Sequence, residues 1–248
     1  MAHTVSPEPV SLQTILALLQ EGKMELQGRF VSSSNYTFYV LVSHGSQKAF
    51  TVYKPTRGER PLWDFPEETL ALREVAAFLV SEALGWGIVP PTVYRPDGPY
   101  GAGSLQLYIQ AEPDVHYFNL PEADKPALRQ IALFDLLINN ADRKGGHLLK
   151  DLSGKLWVID HGICFHAEPK LRTVIWDFAG EAISEKLLED VAQFHDRLTN
   201  EPDLKTAIHS LLSSREATAL RRRAAAVLAQ RCYPAPREGE RNFPWPPV

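Results

Sequence analysis

The sequence is short of three things, and each shortage excludes a class of protein. It holds two cysteines in 248 residues, Cys164 and Cys232. They fit neither a disulfide framework nor the ligand spacing of a zinc site, so a reducing cytoplasm is the expected compartment. It has no excess of positive charge: 26 Lys+Arg stand against 30 Asp+Glu, a formal net charge of -4. No field therefore draws a polyanion along its length, and nucleic acid is not an expected partner. It also has no apolar run near the roughly 20 residues that span a bilayer. The opening segment "MAHTVSPEPVSLQTILALLQEGKMEL" lacks an early positive stretch. Its apolar stripe of Leu12, Ile15, Leu16 and Leu19 is helix-spaced and interrupted by polar residues, so neither an export signal nor stable membrane insertion is expected.

What is plentiful is core material. Hydrophobic residues make up 44% of the chain, enough for one large core or two lobes sharing a cleft. After the first helix, "GRFVSSSNYTFYVLVSHGSQKAFTVYKP" alternates aromatic and β-branched residues around a His44-Gly45-Ser46 turn, the pattern of an antiparallel hairpin. "DFPEETLALREVAAFLVSEALGWG" reads as a long helix, with Asp64 as its expected cap and Gly85 as its stop. Short strands are expected over Val89 to Tyr94 and Leu105 to Ile109, split by a Gly/Pro-rich turn.

From Lys125 the pattern becomes helical. "KPALRQIALFDLLINN" is expected to bury Leu128, Ile131, Ala132 and Leu136, and a short hairpin turns at Ser153-Gly154. Helices follow Glu181. The last is capped by Ser213 or Ser214 and carries Arg221 to Arg223 on a solvated side. The tail "YPAPREGERNFPWPPV" is expected to be extended against the surface or disordered.

Phosphoryl transfer from a nucleotide needs a loop over the phosphates, a strand lysine, a helix glutamate to hold it, an aspartate near the acceptor, and metal ligands. In that order the chain offers a Ser-rich turn from Gly28 to Asn35, then Lys54, Glu74, Asp142 and Asp160. Taken singly, each has an ordinary reading. "GRFVSSSNYTF" lacks a glycine repeat and alone is a turn, Lys54 alone is a solvated strand end, and Glu74 is one helix glutamate among several. As a phosphate loop, the hydroxyls of the serines and the exposed backbone NH groups would receive phosphate oxygens. The strongest piece is "NNADRKGGHLLKDLSGKLWVIDHG". It sets Asp142 and Lys144 in a polar loop after an apolar helix, and Asp160 with Gly162 at a strand end.

"VYKPTRGE", "REVAAFLVSEALGWGIVPPTVYR", "NNADRKGGHLL" and "WVIDHGICF" resemble the atypical kinases of the phosphatidylinositol 3-/4-kinase superfamily. Within it the flavour is that of the type II phosphatidylinositol 4-kinases and the HipA-like bacterial kinases, in an uncharacterised, mainly actinobacterial branch. The resemblance runs from about Gly28 to about Gly180 and implies an α+β, two-lobed protein-kinase-like fold. Residues 1–110 would form a lobe of antiparallel sheet with one long helix, residues 111–232 a mainly helical lobe, and residues 233–248 a Pro-rich tail. It implies ATP and Mg²⁺ as cofactors. Asp142 and Lys144 would be catalytic, while Ser33, Ser34, Asn35, Lys54 and Glu74 would lie on the phosphates. Tyr108, Ile109 and Gln110 would form the adenine hinge, and Asp160 would hold the metal. His147 stands where those kinases keep an asparagine ligand, and imidazole nitrogen suits Mn²⁺ better than Mg²⁺. The acceptor is expected to be a protein or a soluble small molecule rather than a lipid, since no basic amphipathic helix is visible. The alternative is a degenerate kinase serving as a nucleotide-binding scaffold.

Overall fold

The computed structural model describes residues 10–30 and 35–248. Helix α1 (Leu12–Glu21) opens the fold, its first turn capped by Ser11 through Thr14 N. Five antiparallel strands follow, β1 (Lys23–Arg29), β2 (Phe38–His44), β3 (Gln47–Pro55), β4 (Thr92–Gly98) and β5 (Gly101–Leu107), in the order β1-β2-β3-β5-β4. The β2–β3 hairpin closes on the two residues Gly45 and Ser46, with His44 opposite Gln47. Gly45 takes positive φ there, as such tight turns require. One sheet face and α1 form a small cluster of Leu18, Leu19, Phe38, Val40, Val42, Tyr53, Val93 and Leu105.

Between β3 and β4 lies helix α2 (Leu70–Ala83). Asp64 does not cap it. Instead Glu59, eleven residues upstream of Leu70, accepts Leu70 N at 3.2 Å and Ala71 N at 2.9 Å, so its carboxylate satisfies two free amides of the first turn. Asp64 pairs with Lys170 at 2.9 Å. The apolar residues of α2 do not belong to the small cluster. Ala76, Ala77, Phe78 and Val80 enter a larger one with the C-terminal helices.

Those helices are α3 (Leu128–Ile138), α4 (Glu185–Asn200), α5 (Pro202–Leu211) and α6 (Ser214–Gln230), with a two-stranded ribbon β6 (Leu148–Lys150) and β7 (Leu156–Val158) after α3. No helix among the described residues is long and apolar enough to cross a membrane. The architecture is the expected α+β, two-lobed one: an antiparallel sheet with a long helix, then a mainly helical lobe.

Several local expectations are corrected. Gly28 lies in β1 rather than in a turn, and β4 and β5 occupy the Gly/Pro-rich stretch read as a turn. Helix α3 buries Leu128, Ile131, Leu133, Phe134, Leu137 and Ile138, while Ala132 and Leu136 are only partly covered, so its buried arc is wider than the stripe chosen. Arg223 is not solvated: its Nε donates to Leu137 O at 2.7 Å and its Nη1 to His166 O at 3.3 Å. Of the two arrangements left open for the tail, it lies against the helical lobe. Asn242 O accepts from Thr173 N at 3.1 Å and from Trp176 Nε1 at 3.2 Å, and Pro247 O accepts from Gly145 N at 2.8 Å.

Candidate active site

Lys54 is the penultimate residue of β3, paired with Ser104 of β5. Alternation along the strand places it on the face opposite the small cluster. Its ammonium pairs with Glu74 Oε1 and, at 2.8 Å, with Asp160 Oδ1. Burial works against the ammonium, but the two carboxylates outweigh it and hold the Lys54 pKa above its ordinary value. The other Glu74 oxygen accepts His161 N at 2.9 Å. One buried glutamate thus fixes both the lysine and the backbone just after Asp160.

Asp160 follows β7 and sits in the left-handed region with φ 63°, which aspartate tolerates better than a branched residue. The turn brings its half-exposed carboxylate into the cleft, where Oδ2 lies 3.1 Å from His147 Nε2. Lys54 foremost, with His147, holds the Asp160 carboxyl well below the usual range. Gly162 lies close under α2, where an added Cβ would stand 3.3 Å from Leu70 Cβ.

The loop after α3 is built by amides and one buried ion pair. Asn139 ends the helix in the left-handed conformation, and its Nδ2 donates to His166 O at 2.9 Å and Glu168 O at 2.7 Å. Asn140 Nδ2 donates to Asp135 Oδ1 at 2.9 Å, while Asn140 Oδ1 accepts Asp142 N at 3.0 Å. Arg143 and Asp135 are both fully buried and paired at 3.0 Å. Arg143 also donates to Ile159 O at 2.9 Å, and its Nη2 lies 2.8 Å from His161 Nε2. Burial foremost, then Arg143, pushes the His161 pKa well down, so this imidazole is neutral and accepts from the guanidinium. Arg143 therefore spans from the Asp142 loop to both neighbours of Asp160.

Asp142 faces Lys144 at 3.3 Å. Burial raises its pKa, with Asp160 adding to the rise and Lys144 and His147 opposing it. The cleft between the lobes is lined by Asn35, Lys54, Glu74, Asp142, Lys144 and Asp160 together. His147 joins them through Asp160. Asn35 reaches the cleft with its Oδ1 already accepting Arg60 N at 3.0 Å. Tyr108, Ile109 and Gln110 do not line this cavity. They follow β5 where the chain leaves the sheet, with Tyr108 N donating to Phe50 O at 2.9 Å and the Tyr108 ring edge-on to Tyr39 at 5.0 Å. Ser33 and Ser34 lie outside the described residues.

Sequence reasoning passed over Glu59, Arg73, Asp135 and Arg143. Arg143 stood inside the quoted motif directly after Asp142, a signal that was available. Trp176 and Phe178 do not line this cleft. Phe178 packs on Tyr233, and Trp176 borders a separate cavity of about 310 Å³ between α3, α6 and the tail that contains none of the six cleft residues.

Asp160 and His147 supply one carboxylate and one imidazole. Among the described residues, no group of three or more His, Cys, Asp or Glu stands together as a metal site. One carboxylate beside one imidazole fits a divalent ion that accepts nitrogen, such as Mn²⁺, better than Mg²⁺, which prefers oxygen.

No family model matches the chain. Protein Rv2133c of Mycobacterium tuberculosis is 42% identical over 265 residues, 93% of this chain and 94% of that protein. A shorter match, 33% identical over 119 residues, joins 38% of this chain to 21% of phosphatidylinositol 4-kinase gamma 4 of Arabidopsis thaliana. Among solved structures, the Golgi casein kinase with Mn/ADP bound superposes with a TM-score of 0.56 at 15% identity, over 96% of this chain and 80% of that one. Hydra Fam20 with sugar gives 0.55 at 17% identity, over 88% of each chain. At these identities the likeness is one of fold, and the fold is kinase-like.

Proposed function

The chain belongs to the family of Protein Rv2133c, and we propose that it is an ATP-dependent phosphotransferase moving the γ-phosphate of ATP to a hydroxyl acceptor. The observation that carries this reading is the continuous chain of contacts from Lys54 through Glu74 and Asp160 to His147, with Asp142 in the same cleft. Phosphoryl transfer asks the protein mostly for positioning and charge neutralisation, and these groups supply both. Lys54, kept cationic by two carboxylates, binds phosphate oxygens. Asp160 and His147 would hold a divalent ion, which would supply charge neutralisation to the nucleotide phosphates. Lys144 neutralises the phosphoryl group in flight.

Asp142 carries the proton chemistry. As the acceptor oxygen bonds to Pγ and the bond to the β–γ bridging oxygen breaks, the hydroxyl proton passes to the Asp142 carboxylate. A pKa raised by burial makes that carboxylate a better base than a solvated one. Tyr108, Ile109 and Gln110, at the crossing between the lobes, form the adenine hinge, and Asn35 lies on the phosphate side of the cleft. Because the sequence offers no basic amphipathic helix, a protein or soluble small molecule is favoured over a lipid acceptor. Within the superfamily this reading keeps the resemblance to the type II phosphatidylinositol 4-kinases and the HipA-like kinases, in an uncharacterised branch.

The test is γ-phosphate transfer and ATP hydrolysis with Mg²⁺ and Mn²⁺ side by side, using Asp142→Ala and Asp160→Ala as controls. Turnover lost by about 10²–10⁴-fold in Asp142→Ala is the effect of removing a general base. A preference for Mn²⁺ would assign the metal to His147. His147 also favours the alternative of a nucleotide-binding scaffold, which predicts ATP affinity with no turnover under any acceptor tried. Normal turnover in Asp160→Ala would sink both readings.

A further inference from the structure

Two consecutive residues of α2 grip the segment after Asp160. Glu74 accepts His161 N at 2.9 Å, and Arg73 Nη1 donates to Cys164 O at 2.6 Å. The turn through Gly162 is thus clamped at both ends by one helix. Arg73 is 1% exposed, and each nitrogen of its guanidinium has a partner. Nη2 donates to Glu216 Oε1 at 2.5 Å, Nε donates to Thr69 Oγ1 at 3.3 Å, and the plane lies 4.9 Å from the centroid of the Phe65 ring. Glu216 is in turn held in place, since its Oε2 accepts Ser213 N at 3.0 Å and Ser213 Oγ at 2.8 Å in the capping box of α6.

A buried ion pair is seldom the most stable way to fill a core, and apolar residues of the same volume often do as well or better. This pair joins positions 73 and 216, on the helix that carries Glu74 and the last helix of the molecule. Around it, α2 already shares the large apolar cluster of the helical lobe. Phe65 meets His166 edge-on at 5.3 Å, and Asp64 pairs with Lys170 at 2.9 Å. The side of the cleft away from the 108–112 crossing is therefore closed by contacts of α2 and the loop before it.

We propose that Arg73 is a positioning residue that locks α2 in register with the Asp160–Cys164 segment and α6, so that the Lys54–Glu74–Asp160 cluster is assembled without an activating event. The inference rests on reading that cluster as the transfer site. Any rotation of α2 about its axis moves Arg73 and Glu74 together off residues 164 and 161. The register is consequently set by two grips rather than by apolar packing alone.

The test uses the double substitution Arg73→Met with Glu216→Gln in the full chain. It removes both buried charges while glutamine keeps the capping box of α6. Two quantities are read beside the melting temperature. One is ATP turnover, separated into kcat and KM; the other is the rate at which Lys54 is acetylated by acetic anhydride, followed by mass spectrometry. A folded double variant is expected to lose turnover in kcat by about 10- to 100-fold, the scale of a misplacement near 1 Å. Lys54 is expected to become several-fold more reactive as it leaves its carboxylates. Restoring Arg73 alone, in Glu216→Gln, is expected to recover most of both. A folded double variant with native kcat and native Lys54 reactivity would overturn the proposal. If the native protein does not turn over ATP, the functional reading fails by itself, and the labelling of Lys54 still decides whether Arg73 sets the register.

Discussion

Asp142 and Asp160 are two carboxylates in one cleft pushed in opposite directions. Burial raises Asp142, whereas Lys54 foremost lowers Asp160. The linkage signs differ accordingly. Asp160, depressed in the fold, adds stability above the usual carboxylate range and loses it as pH falls through its folded value. Asp142, raised in the fold, is least favourable to stability when ionised, and that penalty is present at pH above its folded value. Asp142→Asn is therefore expected to abolish transfer and yet raise the melting temperature at pH 7, by about 2–4 °C for each kcal/mol relieved. At pH 3, where the native carboxyl is protonated in both states, the difference should vanish. A melting temperature lowered at pH 7 would show that Asp142 is held by interactions that favour its charge. If the proposed transfer takes place at Asp142, the acidic limb of kcat/KM in the native protein should lie above the ordinary aspartate pKa of about 3.9. Lys54, Glu74, Asp142 and Asp160, singled out by their order along the chain, do line one cleft. Arg73 and Asp135 were not legible in the sequence. Arg73 acts through partners 91 and 143 positions away, and Asp135 sits on a helix whose pattern announces only burial.

At the scale of elements, the hairpins and helices followed from alternation and periodicity, but the ends of β4 and β5 did not. Pro96 and the glycines between Gly98 and Gly103 look like a turn, and the chain nevertheless pairs through most of that stretch. β4 is the outer strand in the order β1-β2-β3-β5-β4, where a proline deprives no inner neighbour of a hydrogen bond. Gly103 serves a close approach, because a Cβ there would collide with Lys54 O and stand 2.7 Å from Pro55 Cα. Gly103→Ala should thus push β5 away from the end of β3 that carries the site lysine. The expected cost is about 1–3 kcal/mol, the range of overpacking, read as a fall in denaturation midpoint. Unlike an ordinary core defect, it should also weaken ATP binding, because Lys54 shifts with its strand. The start of α2 was misread for a related reason. Its cap is Glu59, a contact of tertiary structure that no local signal near Asp64 reports.

At the scale of the whole molecule, the apolar clusters do not divide where the chain first suggests. The sheet and α1 share the smaller cluster, whereas α2, inserted between β3 and β4, contributes its apolar residues to the larger one with α3, α4, α5 and α6. Its far end is tied there as well. Trp86 Nε1 donates to Asp190 Oδ2 at 3.0 Å, and Arg197 Nη1 donates to Ala83 O at 2.8 Å. Local opening follows the packing that must be broken rather than the order of the chain. Amide exchange should therefore place α2 in the slow class with α3 and α6, while β1, an edge strand whose residues are nearly all exposed, exchanges first with its partner β2. Adding ATP with Mg²⁺ is expected to slow exchange in β2 and β3 more than in α2, because the helix is already fixed and the sheet gains its tie to the helical lobe through Lys54. If α2 instead exchanges together with β2 and β3, and nucleotide slows all three equally, then α2 moves as part of the sheet. Assembly of the Lys54–Glu74 pair would in that case depend on closing the cleft.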